Sequence, residues 1–250
     1  MSELHLTTLS TPFAFGSAAT LVALAAASAL AQGGKPTTSI SGDVGYVSAS
    51  GNTNLTTLSV GERIIRTDGR WTFTQRAVYV YGKTNDKESA RQTRLSARVD
   101  FDFQPRLGVF AGLAYERNTF AGFNSRTDQI VGLRWKALVE PNDSLSLDAG
   151  GVNTVQNNVD RTRQTTFPAR IATNYKHRFS KTAYFLQLAE YVPNLTTNGA
   201  FRAYTESSLV APISEHIGIK TSYSLRYDSR PPVNFGKTDR ILTTGIQLTF

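Results

Sequence analysis

The chain has 250 residues, 40% of them hydrophobic, with a formal charge of +8, three histidines and no cysteine. The missing thiols exclude a disulfide framework and a thiolate metal site, and the sparse, widely separated histidines (5, 177 and 216) leave no bound metal or cofactor to expect. Mean hydropathy is slightly negative, and no apolar run approaches the roughly 20 residues of a membrane helix.

In chain order, the first element is the apolar run from Ala18 to Ala31, interrupted only by Thr20 and Ser28. It is too short to span a bilayer and ends in the small-x-small site Ala29-Leu30-Ala31, which predicts a cleaved signal peptide over 1–31 and a mature domain over 32–250. One feature departs from the rule: His5, and no lysine or arginine, precedes the run.

From about residue 38 the pattern changes to strict period-two alternation. About twelve strands are predicted: roughly 38–48, 54–66, 70–83, 89–103, 107–117, 125–139, 144–156, 164–178, 182–192, 200–211, 216–228 and 237–250. Ile217, Ile219, Thr221, Tyr223, Leu225 and Tyr227 oppose Gly218, Lys220, Ser222, Ser224, Arg226 and Asp228. Twelve alternating residues exceed the usual five or six of a soluble strand and suit a tilted membrane strand. Leu95 to Phe103, Leu107 to Tyr115, Val131 to Trp135 and Phe167 to Tyr175 repeat the pattern, and the last strand sets Leu242, Ile246, Leu248 and Phe250 against Asp239, Thr243, Gln247 and Thr249. Turns after even strands are short, as in Thr67-Asp68-Gly69-Arg70 and Gln104-Pro105-Arg106; connections after odd strands are mostly longer and polar, as in 116–125, 156–163, 193–199 and 229–236. Aromatic residues gather near strand ends, as membrane girdles do.

These features predict an all-β fold, a single antiparallel up-and-down transmembrane barrel of the cell outer membrane with both termini periplasmic. Three places resist the pattern. Pro168 cannot donate to a ladder, so a bulge or strand end is expected there. Around Gly61 neither parity keeps charge off the lipid face, and a phase-shifting bulge would repair it. Between Tyr184 and Glu190 the two faces are nearly equal in polarity, so the inward side is open.

Several motifs in order resemble a known family. Ser50-Gly51-Asn52-Thr53-Asn54, Arg66-Thr67-Asp68-Gly69-Arg70-Trp71, Leu113-Ala114-Tyr115-Glu116-Arg117, Ser224-Leu225-Arg226-Tyr227-Asp228-Ser229-Arg230-Pro231-Pro232 and Lys237-Thr238-Asp239 are similar to the salt-induced outer-membrane proteins, also called domain of unknown function 481. The resemblance covers roughly 39–250. It implies an outer-membrane barrel linked by name to salt stress, and it supplies no catalytic residue. It also implies that Ile246, Leu248 and Phe250 form a terminal signal read by the barrel-assembly machinery.

The informative charges are those predicted to face inward: Arg94, Arg98, Asp100, Asp102, Glu116, Arg134, Lys136, Asp148, Arg170, Lys176, Lys220, Arg226, Asp228 and Asp239. Charges in a narrow lumen need partners or water. Either they pair across the lumen and brace a closed or narrow barrel of structural or stress-responsive function, or they line a small porin-like channel for ions or small anionic solutes. The absence of a Gly-x-Ser-x-Gly elbow and of a phosphate loop argues against an enzyme, and a serine–histidine phospholipase would sit badly with His177 and His216 at the periplasmic turns. Basic residues form no block of like charge, so the expected partners are outer-membrane lipid and lipopolysaccharide and not nucleic acid. Lys83, Lys87, Arg91, Arg161, Arg163 and Arg230 could hold lipopolysaccharide phosphates. A monomer is expected.

Overall fold

The computed structural model describes residues 36–49, 55–196, 199–232 and 234–250. The expected signal peptide (1–31) and the Ser50–Asn54 motif lie outside the described residues. The strands are β1 (Thr37–Ala49), β2 (Leu55–Asp68), β3 (Trp71–Thr84), β4 (Lys87–Asp102), β5 (Leu107–Asn118), β6 (Phe123–Val139), β7 (Asp143–Asn158), β8 (Arg163–Thr166), β9 (Ala169–Arg178), β10 (Tyr184–Pro193), β11 (Phe201–Pro212), β12 (Ile217–Asp228) and β13 (Thr238–Thr249). Each pairs antiparallel with its neighbours, and β1 pairs with β13, so the sheet closes.

The barrel has twelve staves, because β8 and β9 are two pieces of one. Both lie on β7 in one continuous register, Thr154 opposite Thr166 and Gly151 opposite Ala169. Pro168 is the interruption, as expected of a residue without an N–H. Its carbonyl still accepts from Val152 N at 3.0 Å, and it makes an isolated bridge to Asn194. At the closing seam Ile40 and Phe250 exchange two backbone hydrogen bonds of 2.8 Å. Phe250, Leu248 and Ile246 are exposed on the outer surface while Gln247 is buried, the parity that the alternation predicts.

Inside and outside are inverted relative to a soluble protein. Asp100, Glu116, Asp148, Glu206 and Gln247 are buried, whereas Leu113, Val131, Leu133, Ile171, Leu242 and Ile246 are exposed. Aromatic rings stack on the outer surface near strand ends, Trp71 on Phe101 at 4.7 Å and Phe201 between Tyr191 and Tyr227 at 5.4 Å each. The β3–β4 connection departs from the long-loop side. Both strands run on to a two-residue turn at Asn85 and Asp86 (φ 49° and 60°), residue types that tolerate the left-handed region a tight hairpin requires.

No bulge occurs at Gly61, contrary to the sequence-based expectation. Asp43 faces Gly61, Gly42 faces Glu62, and the β2–β3 register also runs through unshifted. The reason is spatial. Gly61 points inward, and the Asp43 carboxylate occupies the volume a Cβ would fill, with Oδ2 2.7 Å from that position. Held there, Asp43 accepts from Lys220 Nζ at 2.9 Å. Arg63 therefore faces inward and Glu62 outward, where its Oε1 accepts from Gln75 Nε2 at 3.0 Å. A carboxylate in the middle of an outward-facing strand disfavours membrane insertion, less than lysine or arginine does. Replacing the pair by Glu62→Leu and Gln75→Leu is expected to stabilise the barrel by about 1 kcal/mol. Urea unfolding in lipid vesicles, followed by tryptophan fluorescence, checks this; a lower midpoint would contradict it.

Candidate functional site

The inward residues of β4 to β10 build a solid wall. Phe110 is buried against Gly132, its partner in the β5–β6 register, where the absent side chain leaves room for the ring. The Arg98 guanidinium stacks on that ring, 3.6 Å from its centroid, a geometry that favours the cation. Arg98 donates to both Asp100 oxygens (2.7 Å and 3.0 Å) and to Asp148 Oδ2 (2.5 Å). Arg134 joins the same two carboxylates at 2.9 Å each. Arg170 reaches Asp148 at 3.7 Å and binds Glu190 at 2.6 Å. Three guanidiniums meet three carboxylates, so the cluster is neutral and each charge has a partner, the condition under which buried ions are tolerated. Lys136 pairs with Asp102 just below it.

Other pairs cross the lumen. Arg226 on β12 binds Glu116 on β5, which also accepts from Gln92 Nε2 at 2.9 Å; β5 and β12 are on opposite walls. Arg76 on β3 binds Glu206 on β11 at 3.0 Å, and Glu206 is held further by Tyr204 Oη and Ser208 Oγ. Arg94 lies over the Tyr204 ring at 5.7 Å. These bridges surround a central cavity of about 130 Å³.

Above and below the bridges the lumen widens into two basic vestibules. The one at the long-loop end holds about 570 Å³ and is lined by Arg126, Arg163, Arg202, Arg230 and Asp228 among neutral polar residues. The one at the short-turn end holds about 520 Å³, with Arg63, Lys176, Arg178, Lys181 and Glu215 on its wall. The lower vestibule shares Ser41, Arg63, Tyr184 and Gln247 with the central cavity, whereas the upper shares no lining residue with it. The strut between Arg226 and Glu116 stands between them.

All fourteen charges predicted to face inward do so by strand parity. Arg98, Asp100, Arg134, Asp148 and Arg170 meet in one cluster, Asp102 with Lys136 beside it, and Glu116 with Arg226 across the barrel. Arg94 and Lys220 line the central cavity. Lys176 lies over the Tyr184 ring at 4.1 Å in the lower vestibule. Asp228 stands 4.0 Å from Arg126 in the upper one, and Asp239 sits opposite Arg226 in the β12–β13 register near the rim, exposed. Asp43, Arg63, Arg76, Arg126, Asp128, Glu190, Arg202, Tyr204 and Glu206 also face the lumen and are not among those fourteen. Arg63 was hidden by the bulge assumed at Gly61 and Glu190 by the ambiguous β10. Arg76, Arg126, Asp128, Arg202 and Glu206 obey the alternation and were legible from it. The structure gives β10 its phase: Tyr184 and Leu186 line the cavity, while Gln187 bonds to Thr205 and Ser207 on the outer face.

Among solved structures, the chain is similar to the translocator domain of autotransporter NalP from Neisseria meningitidis (12% identity, 93% of this chain and 96% of that one, TM-score 0.47). It is also similar to the NanC porin (12%, 84% and 97%, 0.47) and the KdgM porin (13%, 86% and 99%, 0.45). At such identities and scores these likenesses say nothing of what the barrel carries. A search of curated proteins finds no match. Residues 42–250 match the family described as "Protein of unknown function, DUF481". That match spans almost all of the barrel, from the middle of β1 to the closing Phe250, and the chain belongs to this family.

Proposed function

We propose that this protein is a non-catalytic outer-membrane barrel whose lumen is closed at its waist by ion pairs, a structural or stress-responsive element of the envelope and not an open porin. The outward apolar surface with aromatic rings near both rims supports the membrane placement, with the short turns and both termini on the periplasmic side. Ile246, Leu248 and Phe250, on the outer face of the last strand, would serve the assembly machinery. The observation that carries the closed state is the contact of Arg226 with Glu116, from one wall to the opposite one. Twelve strands enclose less room than the sixteen or so of an aqueous porin, and here arginine side chains and their partners occupy it.

A second reading is favoured by the two vestibules. Both are lined by an excess of cationic side chains, as an anion pathway would be. Purified protein in planar bilayers separates the readings. The closed barrel is expected to give no reproducible single-channel steps under modest voltage at physiological salt. Regular steps with a reversal potential shifted toward that of chloride would replace it with the anion channel.

A further inference from the structure

The inward-facing charges answer one another except at the short-turn end. At the waist Arg98, Arg134 and Arg170 meet Asp100, Asp148 and Glu190. In the upper vestibule Arg126 and Arg202 are matched by Asp228 and Asp128. Arg76, Lys136, Lys220 and Arg226 each hold a carboxylate of their own. Among the described residues, the inward cations with no carboxylate within 4.0 Å, the chain terminus included, are Arg63, Arg94, Lys176 and Arg178. Arg94 lies over the Tyr204 ring in the central cavity. The other three line the lower vestibule. Asp239, the inward carboxylate left over, sits toward the opposite rim, across from Arg226. Arg63 on β2 and Lys176 on β9 face each other from opposite walls of the ring, both half-buried. Lys176 feels the like charges of Arg178 and Arg63. Its Nζ rests on the Tyr184 ring at 4.1 Å, and that ring's hydroxyl is committed to Gln247 at 3.0 Å. The Arg63 guanidinium makes no hydrogen bond among the described residues. Like charges gathered in a narrow lumen cost stability unless an anion joins them.

We infer that the lower vestibule binds a small phosphate-type dianion, held by Arg63 and Lys176 from opposite walls with Arg178 at the mouth. Three features select that class. The local excess is more than one charge, because Glu215, the carboxylate on this lining, stands exposed in the turn after β11 and makes no ion pair among the described residues. A dianion matches that excess better than a halide does. The polar groups also converge from several sides: Arg63 from β2, Ser39 and Ser41 from β1, Lys176 from β9. A tetrahedral oxyanion offers oxygens in all of these directions, whereas a carboxylate offers two in one plane. Finally, the fork of arginine and the point charge of lysine are the two cations that phosphate takes. The volume of about 520 Å³ leaves room for the organic part of a phosphate ester beside Ile65 and Val210. The vestibule opens at the short-turn end and lies below the Arg226–Glu116 strut, so a ligand held there need not pass the waist. The inference therefore stands whether or not the barrel conducts.

The test is equilibrium binding of inorganic phosphate and of glycerol 3-phosphate to the folded barrel, by isothermal titration in a phosphate-free detergent and buffer, with succinate as the planar dianion. Saturable binding of the phosphates, at least tenfold tighter than of succinate, is expected. Tighter binding of the ester assigns the site to phosphomonoesters, and tighter binding of inorganic phosphate assigns it to the free ion. Arg63→Gln and Lys176→Gln should each weaken binding at least tenfold. Arg163→Gln, facing outward at the other end of the barrel, should leave it within twofold. A second measurement separates binding from folding. Phosphate should raise the urea unfolding midpoint of the parent and not that of Arg63→Gln. Without phosphate, Arg63→Gln should unfold no earlier than the parent, since its arginine has no protein carboxylate to lose. Absence of binding by either phosphate, succinate bound as tightly, unchanged affinity in both lumen variants, an equal loss with Arg163→Gln, or an Arg63→Gln barrel that unfolds earlier without phosphate would each overturn the assignment.

Discussion

Glu116→Ala is expected to destabilise the barrel by about 3 kcal/mol, the low end of the range for opening a buried ion pair from one side, and to make a silent barrel conduct. Glu116 is buried and holds both Arg226 and Gln92. Removing its carboxylate strands the Arg226 guanidinium between two walls, with Arg94 beside it on the cavity lining. The arginine then either pays the desolvation cost in place or swings into the vestibule and opens the waist. The same substitution thus reads out twice, as a lower unfolding midpoint in urea and as single-channel steps absent from the parent. Arg226→Ala paired with Glu116→Ala completes a double-mutant cycle, and a coupling near zero would show that the strut holds nothing closed. If the parent already conducts, the double variant is expected to raise its conductance instead, so the strut and the closed state are tested separately.

Gly132→Val is expected to abolish the folded barrel in detergent or to cost more than about 4 kcal/mol, the range in which a named steric mechanism is required. A Cβ at Gly132 would sit 2.8 Å from the Phe110 ring and 3.0 Å from Gly150 Cα, and would strike the Ala149 carbonyl. Two of these obstacles are backbone, so no rotamer change relieves them. Displacing Phe110 would also remove the ring under Arg98, and with it the support of the neutral cluster. Gly151, the next residue after Gly150, is the control. It points outward, and a Cβ there meets nothing within 4 Å, so Gly151→Ala should fold like the parent. The measurement is the fraction of heat-modifiable protein after refolding; equal yields for the two variants would contradict the packing argument.

Much of the barrel could be read from the alternation because each stave contributes one face to lipid and one to the lumen, and a period of two records that choice residue by residue. The placement of Phe250 and the inward parity of all fourteen charges follow from it; the strand break at Pro168 follows from the missing N–H of proline. The failure at Gly61 is instructive for the opposite reason. The sequence placed a charge on either face, and the expectation that lipid must see none led to a bulge that does not exist. The Asp43 carboxylate, brought in by the neighbouring strand β1, is what makes glycine fit at 61 with its register intact.

Sequence by itself determined most of the architecture: the number of staves, the phase of all but β2 and β10, which end carries the short turns, and the closing strand, since these are local properties of successive residues. Tertiary structure alone decided who pairs with whom. Arg226 and Glu116 are 110 residues apart, and Arg76 and Glu206 are 130 apart. Alternation says only that each faces inward. Which wall a charge meets depends on the tilt and register of the closed sheet, a property of the whole ring of strands that no single strand encodes. The same closure turns a scattered set of charges into a braced waist between two vestibules.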